Sequence, residues 1–202
     1  MRVRVYSAAL LMLVLMFVCY RYVDIPVMEY FGKNKIFDSA GDFISMIGRY
    51  YDVVIGLILA GWFWYHRRSA AQRRKCFFFG ACWGLSNAAG AILKVLCGRY
   101  RPKMLTEHDL YGFHGHGTTH GLASFPSGHT LDAVAIAAAL WVLWPRSRPW
   151  CVAWAVSMGL ARIVVRAHYV SDVLAGVLIG CLTVYLINEW LKPAEFKGDS
   201  QP

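Results

Sequence analysis

The chain has 202 residues, of which 57% are hydrophobic and only 16% charged, and it holds eight Trp and eleven Tyr. Soluble domains run at about 45–50% apolar and about 25% charged, so this balance excludes an ordinary soluble domain and points to a polytopic membrane protein of one domain. The net charge of +9 does not argue for nucleic acid, because the basic residues fall between apolar runs and form no single patch.

The N-terminus, MRVRVYSAALLMLVLMFVCY, starts like a signal peptide, with basic residues and then an apolar core. It lacks a small-x-small cleavage site, and the residues ahead of Cys19 are too bulky for a lipoprotein signal, so it reads as a retained first span. Apolar runs then occur at Val5–Tyr20, Tyr51–Tyr65, Cys76–Leu96, Leu131–Trp144, Trp150–Val165 and Val173–Leu191. Several are about 14–16 residues long, short of the roughly 20 that cross a bilayer. Either some are buried core helices, or the spans extend into polar flanks that protein covers in place of lipid; the second reading is preferred.

The predicted fold is therefore an all-α bundle of six transmembrane helices over residues 1–192, followed by a disordered tail at 193–202. The short basic loop HRRSAAQRRK (His66–Lys75), with Arg2, Arg4, Arg146, Arg148, Lys192 and Lys197, falls on one side if the spans alternate. That side is cytoplasmic by the positive-inside rule, which puts both termini inside. The connections Arg21–Tyr50 and Cys97–Thr130 and the turn near Arg166–Ser171 then face outward. Within the first, Asp38 or Ser39 is positioned to cap a short helix with Phe43, Ile44 and Ile47 on one face, lying in the headgroup layer. The six cysteines (Cys19, Cys76, Cys82, Cys97, Cys151, Cys181) form no C-x-x-C pair and read as free thiols packed between helices.

Three polar clusters reach the outward edge under this topology. KVLCGRYRP carries Lys94, Arg99, Arg101, Pro102 and Lys103; SFPSGHT carries Ser124, Pro126, Ser127, Gly128 and His129; RIVVRAHYVSDV carries Arg162, Arg166, His168 and Asp172. Each has a bland reading alone: a snorkelling lysine, a helix-capping turn with Ser127 as cap, an interfacial anchor. Ionisable groups at membrane depth are costly and usually functional, and three groups converging on one side describe a site.

The cations ask for an anion. Arginine offers paired donors matched to phosphate oxygens, and lysine a point charge. A Ser-Gly turn at a helix start adds backbone amides and the positive end of the helix dipole. Together these form a cradle for a phosphoryl group in its transition state. His168 and Asp172, spaced i, i+4, share a helical face, so the carboxylate can fix the ring tautomer and leave the other nitrogen to attack. Arg162 and Arg101 push the His168 pKa down and Asp172 pushes it up, with a neutral ring expected near pH 7. His129 is placed to protonate the leaving oxygen and then activate water. No metal or other cofactor is required.

Lys94-x6-Arg101-Pro102, Pro126-Ser127-Gly128-His129 and Arg162-x5-His168-x3-Asp172 together resemble the three-part signature of the type-2 phosphatidic-acid phosphatase superfamily. The resemblance extends over roughly residues 20 to 190. It implies that Lys94, Arg101 and Arg162, with Ser127 and the Gly128 amide, bind phosphate; that His129 is the general acid, His168 the nucleophile and Asp172 its partner. The family usually has Ser before the third-part Arg, where this chain has Ala161, which touches substrate range or rate and not the class.

The loop EHDLYGFHGHGTTHG adds His108, His114, His116 and His120. Closely spaced His can form a zinc site, but the Gly-His-Gly-His-Gly stretch is flexible and lacks a helical i, i+4 pair, so the loop reads better as a substrate-side or plainly exposed loop, with Tyr111 and Phe113 dipping into the interface. The functional expectation is a bacterial inner-membrane phosphatase, its active site facing the periplasm, that acts on a lipid phosphate such as polyprenyl diphosphate or lipid A, with phosphatidylglycerol phosphate and phosphatidic acid as further candidates. A lipid phosphotransferase using the same phosphohistidine, and a non-catalytic anion channel or lipid-binding protein, are the alternatives.

Overall fold

The computed structural model describes residues 2–33 and 54–191. The proposed interfacial helix around Phe43–Ile47, the C-terminal tail, and Lys192 and Lys197 lie outside these residues. In chain order the helices are α1 (Arg2–Val18), a π-turn (Cys19–Val23), α2 (Asp24–Lys33), α3 (Val54–Tyr65), α4 (Ala70–Cys97), α5 (Pro102–His108), α6 (Gly128–Leu143), α7 (Arg148–Val164) and α8 (Val170–Leu191). Among the described residues there is no β-strand, only isolated bridges from Arg99 to Phe113 and to Ala123.

Three helical stretches are long and apolar enough to cross a membrane: Val3–Lys33, Ala70–Cys97 and Val170–Leu191. The other three apolar runs form shorter helices. At 1.5 Å rise per residue, the 16 residues of α6 reach about 24 Å, less than the roughly 30 Å hydrocarbon layer. α6 tolerates this because protein surrounds it: it packs against α4, α7 and α8, and its residues Leu131–Ala137 are buried throughout. A helix apolar on every side belongs in the interior. Its run of alanines gives it a slim profile, and Gly176 and Gly180 of α8 lie against the Ser127 carbonyl and Val134, as small residues do at close helix crossings. Away from the polar end, Phe78, Phe79, Cys82, Ala135, Ile136, Ala139, Met158, Val184 and Ile187 form the apolar core.

Two expectations change. The sequence places the first outward connection from Arg21, yet the helix continues through Arg21 to Lys33. The π-turn at Cys19–Val23 inserts one residue into the helical register and re-aims the turns of α2; Asp24, directly after it, is 1% exposed and paired within the protein, which removes the reason for the helix to stop. The long connection after α4 is also more ordered than a loop. It contains α5, begun by Pro102 in the first turn, where its missing N–H costs nothing, and a 3-10 turn at His120–Leu122. All six cysteines are free thiols, with Cys76, Cys82 and Cys151 buried and Cys181 exposed.

Candidate active site

The three polar clusters meet at one end of the bundle. α4 ends at Gly98, whose φ of 55° and N–H to the Lys94 carbonyl form a left-handed C-cap. A Cβ there would sit 2.4 Å from the His116 carbonyl carbon, so only glycine lets the next segment turn back. Arg99 then lies in an extended strip: its carbonyl accepts from Ser124 N at 3.1 Å, and Arg101 N donates to the Gly121 carbonyl at 2.9 Å. These bonds bring the second cluster beside the first.

Ser127 is the N-cap residue of α6, but its hydroxyl does not cap the helix; it bonds Thr130 Oγ1 at 2.9 Å. Its backbone N–H donates to the Asp172 carbonyl at 3.0 Å, which ties α6 to α8. Gly128 and His129 are the first two residues of α6, in the turn whose amides have no partner inside the helix. A Cβ on Gly128 would lie 2.9 Å from Lys94 Nζ; the absent side chain is the space the ammonium occupies. The Arg101 guanidinium is held by Nη2 donating to the Ala123 carbonyl at 3.3 Å.

α7 ends in a Schellman turn: Ala167 N bonds the Arg162 carbonyl at 3.1 Å and Arg166 N the Ile163 carbonyl at 2.9 Å. Arg166 takes the left-handed position with φ 54°. His168 N also donates to the Arg162 carbonyl, at 3.2 Å, so the third cluster is folded into one turn. Arg162 and His168 are 7% and 3% exposed.

His168 precedes α8 and does not lie on it. Its Nδ1 is 2.8 Å from the Ser124 carbonyl and 3.7 Å from Asp172 Oδ2. The expected carboxylate–imidazole hydrogen bond is thus replaced by a carbonyl, with Asp172 acting on the ring as a nearby charge. A carbonyl only accepts, so Nδ1 carries the proton and the Nε2 lone pair is free. Burial holds the His168 pKa down to about 4; Asp172 opposes this, and Arg101 and Arg162 add to it. The ring is neutral at pH 7, as the sequence suggested, but burial outweighs the neighbouring charges as the cause.

Asp172 has other partners. Oδ1 accepts from Arg99 Nη1. Oδ2 accepts from Ser124 Oγ at 2.6 Å and from Tyr169 N at 3.0 Å, the last being a reach back from the third helical residue to its cap. Arg99, with no exposed surface, bridges Asp172 to Asp24: Nη2 donates to Asp24 Oδ2 at 2.6 Å. Asp24 also accepts from Ser171 N at 3.0 Å. The rings of Tyr20, Tyr111, Phe113 and Tyr169 surround the guanidinium at 4.6–5.7 Å. Burial works against the Arg99 charge, but Asp172 and Asp24 outweigh it and hold its pKa above the usual arginine value.

Arg99 and Ser124 stand in the sequence clusters without a role, and Asp24, Ser171 and Tyr169 are not among the residues that the sequence singles out. A single carboxylate just past the first apolar run was the available signal for Asp24. The Tyr111 hydroxyl donates to the Tyr20 carbonyl at 2.6 Å, with its ring stacked on that of Tyr20. Among the described residues no three His, Cys, Asp or Glu side chains gather as a metal-holding group, and His114 Nδ1 instead faces the His116 carbonyl at 3.3 Å.

Comparison with known proteins identifies relatives of this chain. Over 89 residues, 44% of this chain, it is 38% identical to proteins named lipid A 1-phosphatase from Rhizobium johnstonii and Rhizobium etli. That match spans 36% and 38% of the relatives' own lengths. A crystal structure of a transmembrane PAP2-type phosphatidylglycerolphosphate phosphatase from Bacillus subtilis has the same fold, with a TM-score of 0.54 at 18% identity over 92% of this chain and 96% of that one. The family model of the PAP2 superfamily matches residues 75–195, more than half of the sequence and all three polar clusters, and the chain belongs to that superfamily.

Proposed function

We propose that the protein is an integral-membrane lipid phosphatase that releases phosphate through a phosphohistidine on His168. The observation that carries this is the 2.8 Å contact of His168 Nδ1 with the Ser124 carbonyl, which leaves a neutral ring with one unprotonated nitrogen close enough to Arg101 and Arg162 to feel their charge. Neutral imidazole beside cations suits attack on a phosphoryl group.

Lys94, Arg101, Arg162 and the amides at the start of α6, including that of Gly128, hold the phosphate oxygens. His168 Nε2 attacks phosphorus; the N–P bond forms as the bond to the leaving oxygen breaks, and His129 protonates that oxygen. In the second half His129 takes a proton from water, the resulting hydroxide attacks phosphorus, and the N–P bond breaks to give inorganic phosphate and free His168. Asp172 steadies the positive charge that develops on the ring. Ser127, its hydroxyl turned to Thr130, shapes the turn that presents the amides. The six-span arrangement, the cytoplasmic termini and a periplasm-facing site in a bacterial inner membrane belong to this proposal, and the basic loop after α3 supports them.

Among substrates, the names of the Rhizobium relatives favour the 1-phosphate of lipid A over a polyprenyl diphosphate. The test is free phosphate release by the purified full chain from lipid A, polyprenyl diphosphate, phosphatidylglycerol phosphate and phosphatidic acid in parallel. Fastest release from lipid A is expected. Phosphate release that survives His168→Ala undiminished would end the mechanism.

A further inference from the structure

Beside the phosphate cluster lies a cavity of about 410 Å³ walled by α2, α5 and the turn between α7 and α8. It shares Arg101 with the cluster and runs along Arg166 and Ala167 to the neighbour of His168. Its polar lining also includes Lys103, Glu107 and His120, and its apolar lining includes Met28 and Val165. We propose that this cavity is a headgroup subsite that takes a second anionic group of the same lipid, set apart from the phosphate that reacts. The proposal rests on the phosphatase reading.

Charge is the first argument. Lys94, Arg101 and Arg162 already supply the cations one phosphoryl group uses, and the cavity adds Lys103 and Arg166. Among the described lining residues one is a carboxylate: Glu107, which faces Lys103 at 3.6 Å with the two side chains 50% and 74% exposed. An exposed pair of this kind is weak and exchanges readily for a better anion. The field is felt at His120, whose pKa is lowered first by Arg101, then by burial, Lys94 and Lys103. A neutral His120 supplies a hydrogen bond to a polar headgroup without adding charge.

Backbone conformation is the second. Arg166 occupies the left-handed position of the Schellman turn at φ 54°, where glycine would serve without strain. An arginine there contributes only a side chain, and that side chain lines the cavity and reaches α2, with Nη1 3.7 Å from where a Cβ on Gly32 would stand. Strained residues of this kind gather at ligand sites. The mixed lining suits a polar linker between two anionic groups, as in a glycerol or sugar headgroup, better than a bare phosphate.

The experiment compares two lipids in detergent with the full chain: phosphatidic acid, with one phosphate, and phosphatidylglycerol phosphate, which adds a phosphodiester. The variants are Lys103→Ala and Arg166→Asn, asparagine being chosen because it tolerates the left-handed backbone. Each variant is expected to raise KM for phosphatidylglycerol phosphate about tenfold, the loss of one hydrogen bond to a charged group, while kcat and KM on phosphatidic acid stay within about twofold. Unchanged phosphatidic acid turnover also reports a folded protein. Equal KM shifts on both lipids, or none on either, would overturn the subsite and leave the phosphatase reading standing. No phosphate release from any lipid by the unaltered chain would overturn both.

Discussion

Arg99 Nη2 lies 2.6 Å from Asp24 Oδ2, and neither side chain is exposed. α2, which lies outside the residues matched by the family model, is thereby fastened to the carboxylate beside His168, because the other arm of the same guanidinium holds Asp172. Removing one partner of a buried ion pair leaves an uncompensated charge, a cost of about 3–5 kcal/mol. Asp24→Ala is expected to destabilise by that amount, and Asp24→Asn, which keeps the shape, by less. Thermal unfolding in detergent checks it; an unchanged midpoint for Asp24→Ala would show that Asp24 is not holding the site.

Ser124 separates two roles within one residue. Its hydroxyl donates to Asp172 Oδ2 at 2.6 Å, while its backbone carbonyl holds His168. Ser124→Ala removes only the first bond, so stability should fall by about 1.5–3 kcal/mol while turnover stays within about tenfold, because the ring keeps its tautomer. Asp172→Asn, which alters the charge facing the ring, should lower kcat more than Ser124→Ala does. Steady-state kinetics beside unfolding curves distinguish them, and a larger kcat loss for Ser124→Ala would contradict the assignment.

His129 as the acid has a leaving-group signature. His129→Ala should lower kcat by about 10²–10⁴ on a lipid substrate. On a p-nitrophenyl phosphate ester, whose leaving group needs no proton, phosphoenzyme formation should lose far less. Rapid-quench measurement of that first step reads it; equal losses on both substrates would remove His129 from the acid role.

Titration of His168 should track its burial. Its folded pKa near 4 lies below the ordinary 6.5, so the unfolded chain binds more protons between those values. Stability is undiminished by this group above pH 6.5 and falls as pH drops from about 6.5 toward about 4. The ¹⁵N shifts of the His168 ring should show a neutral Nδ1–H tautomer from pH 7 down to about 5, and a midpoint near 6.5 would contradict the buried geometry.

Gly128→Ala tests the space for Lys94. The added Cβ would stand 2.9 Å from a flexible ammonium end, so the fold should survive while Lys94 is displaced. The expected result is about a tenfold loss in kcat/KM with an unchanged unfolding midpoint. Full activity would mean Lys94 does not need its present place.

Residue chemistry along the chain was enough to reveal the membrane class, the all-helical class and the three polar clusters that meet at one end of the bundle. Each of those signals is local: an apolar run, a basic loop, or a Lys-Arg, Ser-Gly-His or Arg-His-Asp spacing within one segment. Pairings between segments were not legible. Nothing near Asp24 in the sequence names Arg99, 75 positions away, as its partner, nor does the i, i+4 spacing of His168 and Asp172 reveal that the Ser124 carbonyl accepts the hydrogen bond from the His168 ring. Those choices were made by packing. Burying Asp24, Arg99 and Asp172 obliges each to find a partner of opposite charge or a hydrogen bond, and only the folded arrangement of α2, the end of α4 and α8 decides which one is within reach.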